Sequence, residues 1–236
     1  MPSLVFLPGL ACDERLFEAQ RPALPSALHV QVSDAHARHD RIEAMAAAVL
    51  AENAGPLILC GASMGGMVAM EAARQDPGRI AGLALLGTNA RAETPEMFEL
   101  RGSAIELFEN GEARDVIEFN AGIAFHPSRV GDTALLRRYV DLVLDAGVQQ
   151  LVRQNRALMV RPDARPHLPA LRCPVLVMCG DNDRLTPPEC SREIAALIPQ
   201  AELVWVAQCG HMLTMERPEV VNATLGAWLE RWVETA

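Results

Sequence analysis

A serine, a pair of carboxylates and a histidine stand in this chain where a nucleophile, its base and the base's partner would belong. Ser63 is the centre of Gly61-Ala62-Ser63-Met64-Gly65, a G-x-S-x-G pentapeptide. A serine hydroxyl is a poor nucleophile until a base takes its proton, so the motif needs a histidine and an acid further on. Gly180-Asp181-Asn182-Asp183-Arg184-Leu185-Thr186-Pro187 offers two carboxylates, and Cys209-Gly210-His211 offers the imidazole. The order serine, acid, histidine is the one expected for this type of serine turn. The chemistry such a set supports is attack on an acyl carbonyl, a covalent acyl-serine, and its release by water. By the logic of the motif, the N–H of Met64, the residue after the nucleophile, is one donor to the developing oxyanion. Taken singly, Ser63 reads as a turn residue and His211 as an ordinary surface histidine; their joint placement argues for chemistry.

That placement depends on strands. Six runs read as strands, at about 3–7, 28–32, 57–60, 80–86, 173–179 and 201–206. Most are continuously apolar, as expected when helices cover both faces of a parallel sheet. Ser63, the acidic segment and His211 each follow the carboxyl end of one run, and in an open parallel sheet those ends share the edge where ligands bind. Helical patterns lie between the runs. Asp40 and Glu43 have the spacing of a capping box before the alanine-rich stretch 44–52. Pro218 to Trp232 reads as a closing helix with Val221, Leu225, Trp228 and Leu229 on one face. Strand and helix in alternation predict an α/β fold with a doubly wound, mainly parallel sheet.

Between Gly87 and Cys173 roughly 80 residues pass without a strand, too many for a plain crossover. Thr94-Pro95 is a helix start, with threonine as cap and proline in the first turn. Leu135, Leu136, Val140 and Val143 mark a helix over 132–145 that Gly147 can end, and two more helices are expected near 112–121 and 148–160.

The stretches Gly61-Ala62-Ser63-Met64-Gly65-Gly66, Gly180 to Pro187, and Gly210-His211 followed by Glu216-Arg217-Pro218 resemble the α/β-hydrolase superfamily, in particular its small esterase-like members with a lid. The likeness covers nearly the whole chain outside the middle insertion. It implies that Asp183, rather than Asp181, is the acid beside His211. It implies a core of residues 1–88 and 170–236, lacking the family's first antiparallel hairpin, and a helical cap over 89–169 that roofs the site. It further implies that the loop Leu7-Pro8-Gly9-Leu10-Ala11-Cys12 supplies the second oxyanion donor from Leu10, with Gly9 letting the loop approach the substrate. Pro8 stands where the family often has histidine. Substrate contacts are expected from Gly9, Met212 and Phe125. Met64, Met67, Met212 and Met215, with Phe98, Leu107, Phe108, Phe119 and Phe125, read either as an adaptable acyl pocket or as ordinary core.

Composition bounds the partners. Half of the 236 residues are hydrophobic, enough for one sizeable core, and the net charge of -9 argues against a grip on nucleic acid or anionic membranes. Six cysteines without a C-x-x-C pair read as reduced packing residues, Cys209 included. The start Met1-Pro2-Ser3 lacks a cationic region, and Leu4-Val5-Phe6-Leu7 stops at Pro8-Gly9, so a cytoplasmic protein without signal or membrane segment is expected. His36-Ala37-Arg38-His39 lacks metal-site spacing, and no phosphate-binding loop is present, so neither metal nor cofactor is expected. Arg137, Arg138, Arg153 and Arg156 read as a solvated helix face. The expectation is a serine hydrolase acting on a small-molecule ester, a carboxylesterase in its simplest form. The same residues could serve a thioesterase, lactonase, carbon–carbon hydrolase, acyltransferase or perhydrolase. A ligand-binding protein on this scaffold would bind without turnover.

Overall fold

Side chains alternate across a strand, and that alternation sorts the apolar runs of this chain into two cores. Along Ser3–Leu7 (β1), Leu4 and Phe6 enter one core while Val5 and Leu7 enter the other. Ile58 and Cys60 part from Leu57 and Leu59 in the same way on Leu57–Ala62 (β3). The computed structural model describes residues 2–26 and 28–233. With Val30–Val32 (β2), Ile80–Leu86 (β4), Val175–Gly180 (β5) and Ala201–Val206 (β6), these strands form one sheet in the order β2-β1-β3-β4-β5-β6. Every pairing in it is parallel. The sequence places all six strands; β2 is shorter than the run 28–32 because the Leu28 N–H turns back to the Pro25 carbonyl at 3.0 Å.

One face of the sheet is covered by Ile42–Glu52 (α2, preceded by the single turn Ala35–Arg38, α1), Met64–Gln75 (α3) and Pro188–Leu197 (α8). The other face is covered by Pro218–Val233 (α10), which follows the turn Leu213–Glu216 (α9); four helices inserted between β4 and β5 add most of their apolar residues to the same core. These are Pro95–Glu109 (α4), Ala113–Ala124 (α5), Thr133–Asp145 (α6) and Val148–Met159 (α7). Thr94 caps α4 as its sequence predicts, its hydroxyl accepting from the Met97 N–H at 3.2 Å. Asp132 caps α6, and Gly147 takes the positive φ of 81° that lets the chain turn into α7.

The capping box at Asp40 does not form. Arg41 occupies the cap position without a side-chain bond, and Glu43 pairs with the Arg41 guanidinium at 3.0 Å instead of reaching back. The ion pair competes for the carboxylate that the box requires. Arg153 is also no solvated residue: it donates to the Ala37 carbonyl and ties α7 to α1.

Val221, Leu225, Trp228 and Leu229 are all buried, as the closing-helix pattern requires. The Trp228 indole lies over Gly82 of β4, where a methyl group would come within 2.9 Å of its ring. Trp228→Ala is expected to leave an unfilled void at this sheet–helix seam and to cost about 3–5 kcal/mol. Denaturant unfolding checks this, with the midpoint falling and the slope unchanged. Among the described residues no helix is long and apolar enough to cross a membrane.

Candidate active site

The chain leaves β1 for the edge strand β2 and then returns past β1 to β3, so the connections diverge between β1 and β3. A crevice opens at the carboxyl ends there, where ligands bind in doubly wound sheets. Ser63 sits on the β3–α3 turn and Gly9-Leu10 on the loop after β1, flanking that crevice. Ser63 has φ 52° and ψ -115°, a strained backbone for a residue with a Cβ. The turn is pinned by its own N–H to the Leu86 carbonyl at 2.9 Å and by Thr88 Oγ1 donating to its carbonyl at 2.6 Å. Gly65 is required next to it, because a Cβ there would run into the Leu7 carbonyl.

Asp183, on the loop after β5, is 2 % exposed. Its Oδ1 accepts from the Leu185 and Thr186 N–H groups, both at 2.9 Å, and its Oδ2 from Thr186 Oγ1 at 2.8 Å. His211, after β6, presents Nδ1 to the same carboxylate at 2.9 Å from Oδ2 and 3.1 Å from Oδ1. A carboxylate only accepts, so Nδ1 carries the proton and Nε2 keeps its lone pair. Asp181 serves the backbone instead. Its oxygens accept from the Gln208 and Cys209 N–H groups at 3.1 and 3.2 Å, setting the loop that carries His211.

Burial works to raise the Asp183 pKa, but the His211 charge and the hydrogen bonds from His211 and Thr186 prevail and hold it below the ordinary 3.8. Burial alone would lower His211; the Asp183 charge and hydrogen bond, with Glu216 adding to them, lift it above 6.5. Each partner thus favours the charged form of the other.

Ser63 and His211 border one cavity of about 700 Å³, roofed by the inserted helices and mostly apolar. Among the described residues neither Ser63 Oγ nor His211 Nε2 has a hydrogen-bond partner. Gly9, Leu10, Met67 and Met212 line the cavity, with Leu107, Phe108 and Phe119 on its roof. The Met64 side chain is fully buried elsewhere, while its N–H opens α3 and has no carbonyl one turn back. Gly9 lies so close to Ser63 that a methyl on it would stand 3.4 Å from Ser63 Cβ.

Phe125 is not part of the cavity wall. It is buried edge-on against Tyr139, ring centroids 5.4 Å apart, and its backbone backs the His211 loop. It follows α5 directly, so its side chain turns into the core instead of toward the roof. Phe98 is 43 % exposed and also off the wall.

Several supporting residues go beyond the sequence reading. Glu216, 3 % exposed, accepts from the Gly210 and Met212 N–H groups on either side of His211, at 2.9 and 3.2 Å, and from the His126 N–H at 2.8 Å. Burial raises its pKa above 4.5 against those three donors. The Ala124 carbonyl accepts from the His211 N–H at 2.6 Å, so the end of α5 and the histidine loop are joined twice. Gln154 of α7, wholly buried, accepts from the Ala11 N–H at 2.6 Å and donates to the His36 carbonyl at 2.9 Å. His36 in turn bonds the Cys12 carbonyl at 2.7 Å, and burial lowers its pKa. Thr186 supports Asp183 through an Asp-x-x-Thr turn, in which the aspartate accepts from the backbone two and three residues on. Cys12 borders the cavity, but burial pushes its thiol up to about 12 and keeps it protonated. All six cysteines are free.

The sequence model of the α/β hydrolase family matches residues 4–224. The chain belongs to the α/β hydrolase family. Among its relatives in this α/β hydrolase family is a pimeloyl-[acyl-carrier protein] methyl ester esterase of Aromatoleum aromaticum, 29% identical, with 92% of this chain and 94% of the relative covered. A thermophilic esterase from Thermogutta terrifontis, solved with malate bound, superimposes with a TM-score of 0.87 at 28% identity, covering 98% of this chain and 90% of that one. The enol-lactonase from Burkholderia xenovorans LB400 reaches 0.87 at 23% identity over 97% and 91%, a likeness of fold.

Proposed function

We propose that this α/β hydrolase cleaves small carboxylic esters through an acyl-enzyme, as a carboxylesterase. The observation that carries the reading is the His211 ring: Nδ1 is committed to Asp183, which leaves Nε2 for the cavity that Ser63 borders. Ser63 Oγ attacks the ester carbonyl while His211 Nε2 takes its proton, and Asp183 stabilises the imidazolium that results. The carbonyl oxygen, now an oxyanion, accepts from the N–H groups of Met64 and Leu10. Collapse breaks the bond to the alkoxy group, which leaves with the proton from His211. Water, deprotonated by the same nitrogen, attacks the acyl-serine and releases the acid. Gly9 and Met212 contact the substrate, and residues 89–169 act as a cap over a core of 1–88 and 170–236. The two esterases among the related proteins support esters over carbon–carbon or amide bonds as the substrate.

The test is hydrolysis of p-nitrophenyl acyl esters from short to long chains, by wild type and Ser63→Ala side by side. Ser63-dependent turnover with an optimum chain length is the expected result. Failure on every ester would remove the ester assignment and leave thioesters, acyl transfer or ligand binding to be tried.

Gln154 positions the oxyanion loop in this reading. Gln154→Leu leaves the Ala11 N–H and the His36 carbonyl unpaired in the interior. Because one misplaced oxyanion donor is worth up to about 10²–10³ in kcat, a loss of roughly tenfold or more in kcat is expected, with KM changed much less. Steady-state kinetics that showed KM alone rising would place Gln154 outside this role.

A further inference from the structure

One guanidinium on the cavity wall has more charge than its surroundings balance. Glu93, with a side chain 4 % exposed, is gripped by Arg161, itself 4 % exposed. Arg161 Nη1 and Nη2 donate to the two Glu93 oxygens at 2.6 and 3.0 Å, and its Nε donates to the Arg91 carbonyl at 2.8 Å. That fork-on-fork pair satisfies both groups. Yet a second arginine, Arg101 of α4, also places its Nε on Glu93, and its Nη1 donates to Asn155 Oδ1 at 2.8 Å. Two guanidiniums therefore share one carboxylate, and a positive charge is left over.

The left-over charge is on Arg101, whose side chain is 19 % exposed and borders the cavity beside Asn155. Its Nη2 has no hydrogen bond among the described residues. Burial works against the Arg101 charge, and so does Arg161, while Glu93 supports it; an arginine stays protonated all the same. Holding an unbalanced cation away from bulk water is costly unless a partner completes it. Anchoring α4 to α7 would not need that cost, since a neutral side chain could bond Asn155.

Resting on the ester-hydrolase reading, we infer that Arg101, held in place by Asn155, forms a carboxylate subsite, and that the substrates are monoesters of dicarboxylic acids. The free carboxylate of the substrate lies on the open Nη2 edge of Arg101 while the ester reaches Ser63 along the apolar wall. Glu112 and Asp115 at the rim are exposed, so salt screens them, whereas the Arg101 contact is formed inside. Arg184, the other cation on the wall, is exposed.

Calorimetric titration of Ser63→Ala with monoethyl esters of dicarboxylic acids, from succinate to azelate, against ethyl esters of monocarboxylic acids of matched length, tests this without turnover. The best-fitting acid monoester is expected to bind about tenfold or more tightly than its neutral match, as a charged hydrogen bond inside a protein allows. Adding Arg101→Met should abolish that preference, and Arg184→Gln should keep it. If Arg101→Met does not fold, Asn155→Asp decides: it keeps the guanidinium, neutralises it in place, and should abolish the preference equally. Absence of any preference, or a preference that survives Arg101→Met or Asn155→Asp, or one lost in Arg184→Gln, overturns the subsite. A preference in binding without Ser63-dependent hydrolysis would keep the subsite and overturn the esterase reading instead.

Discussion

Ser63→Ala is expected to lower kcat on the best p-nitrophenyl ester by about 10⁴-fold or more, with the fold intact. Removing one member of a nucleophile–base unit costs nearly as much as removing the whole unit, because no other group takes over the attack. Cys12 will not substitute: it borders the same cavity, but burial holds its thiol up to about 12. Alanine retains the Cβ, so it inherits the strained φ of 52° and should unfold at the denaturant concentration of wild type. Ser63→Gly separates strain from chemistry. It should be as inactive, yet more stable by about 1–3 kcal/mol, since glycine adopts that backbone without a Cβ to clash. Unfolding curves of the two variants, with activity measured in parallel, decide the matter. A Ser63→Ala protein that keeps most of its turnover would end the assignment of the nucleophile.

Local sterics explain why the turn that carries Ser63 could be read from sequence. A Cβ at position 65 would strike the Leu7 carbonyl, so glycine there is dictated locally, and the pentapeptide announces the turn before any contact is known. The four inner strands were legible for a similar reason: buried on both faces, they must be apolar almost throughout. The inserted helices were visible from the cap at Thr94 and from apolar spacing, although not which wall each side chain would join. Phe125 shows the limit. An aromatic ahead of His126 looks like a pocket residue, but the direction of its ring depends on how α5 meets the His211 loop, a contact across 90 positions of chain between His126 and Glu216. Gln154 was beyond reach for the same reason. It satisfies backbone groups far away in sequence, Ala11 lying 143 positions off, and no local pattern encodes such a bond. Asp40 failed in the opposite sense, where a correct local pattern lost its carboxylate to Arg41.

Asp183→Asn is expected to be nearly as damaging as loss of the nucleophile, and the hydrogen bonds around the carboxylate say how. Oδ1 accepts from two backbone N–H groups that cannot turn away, so the amide oxygen of asparagine must occupy that position. The amide nitrogen then takes the Oδ2 position, facing Thr186 Oγ1, which can rotate to accept, and His211 Nδ1. An N–H aimed at Nδ1 forces that nitrogen to accept, and the proton moves to Nε2. The nitrogen that should deprotonate Ser63 becomes a donor, and kcat should fall by about 10⁴ with KM little changed. The pH profile carries a second signature. In wild type the base must be neutral, and because His211 titrates above its ordinary 6.5, activity should fall with acid from a point above that value. Without the Asp183 charge, burial dominates the ring and its titration should move to lower pH. Nitrogen-15 NMR of His211 reads both effects at once, giving the tautomer at neutral pH and the pH at which the ring protonates. Finding the Nδ1–H form unchanged in Asp183→Asn would refute the tautomer argument, whatever the rate.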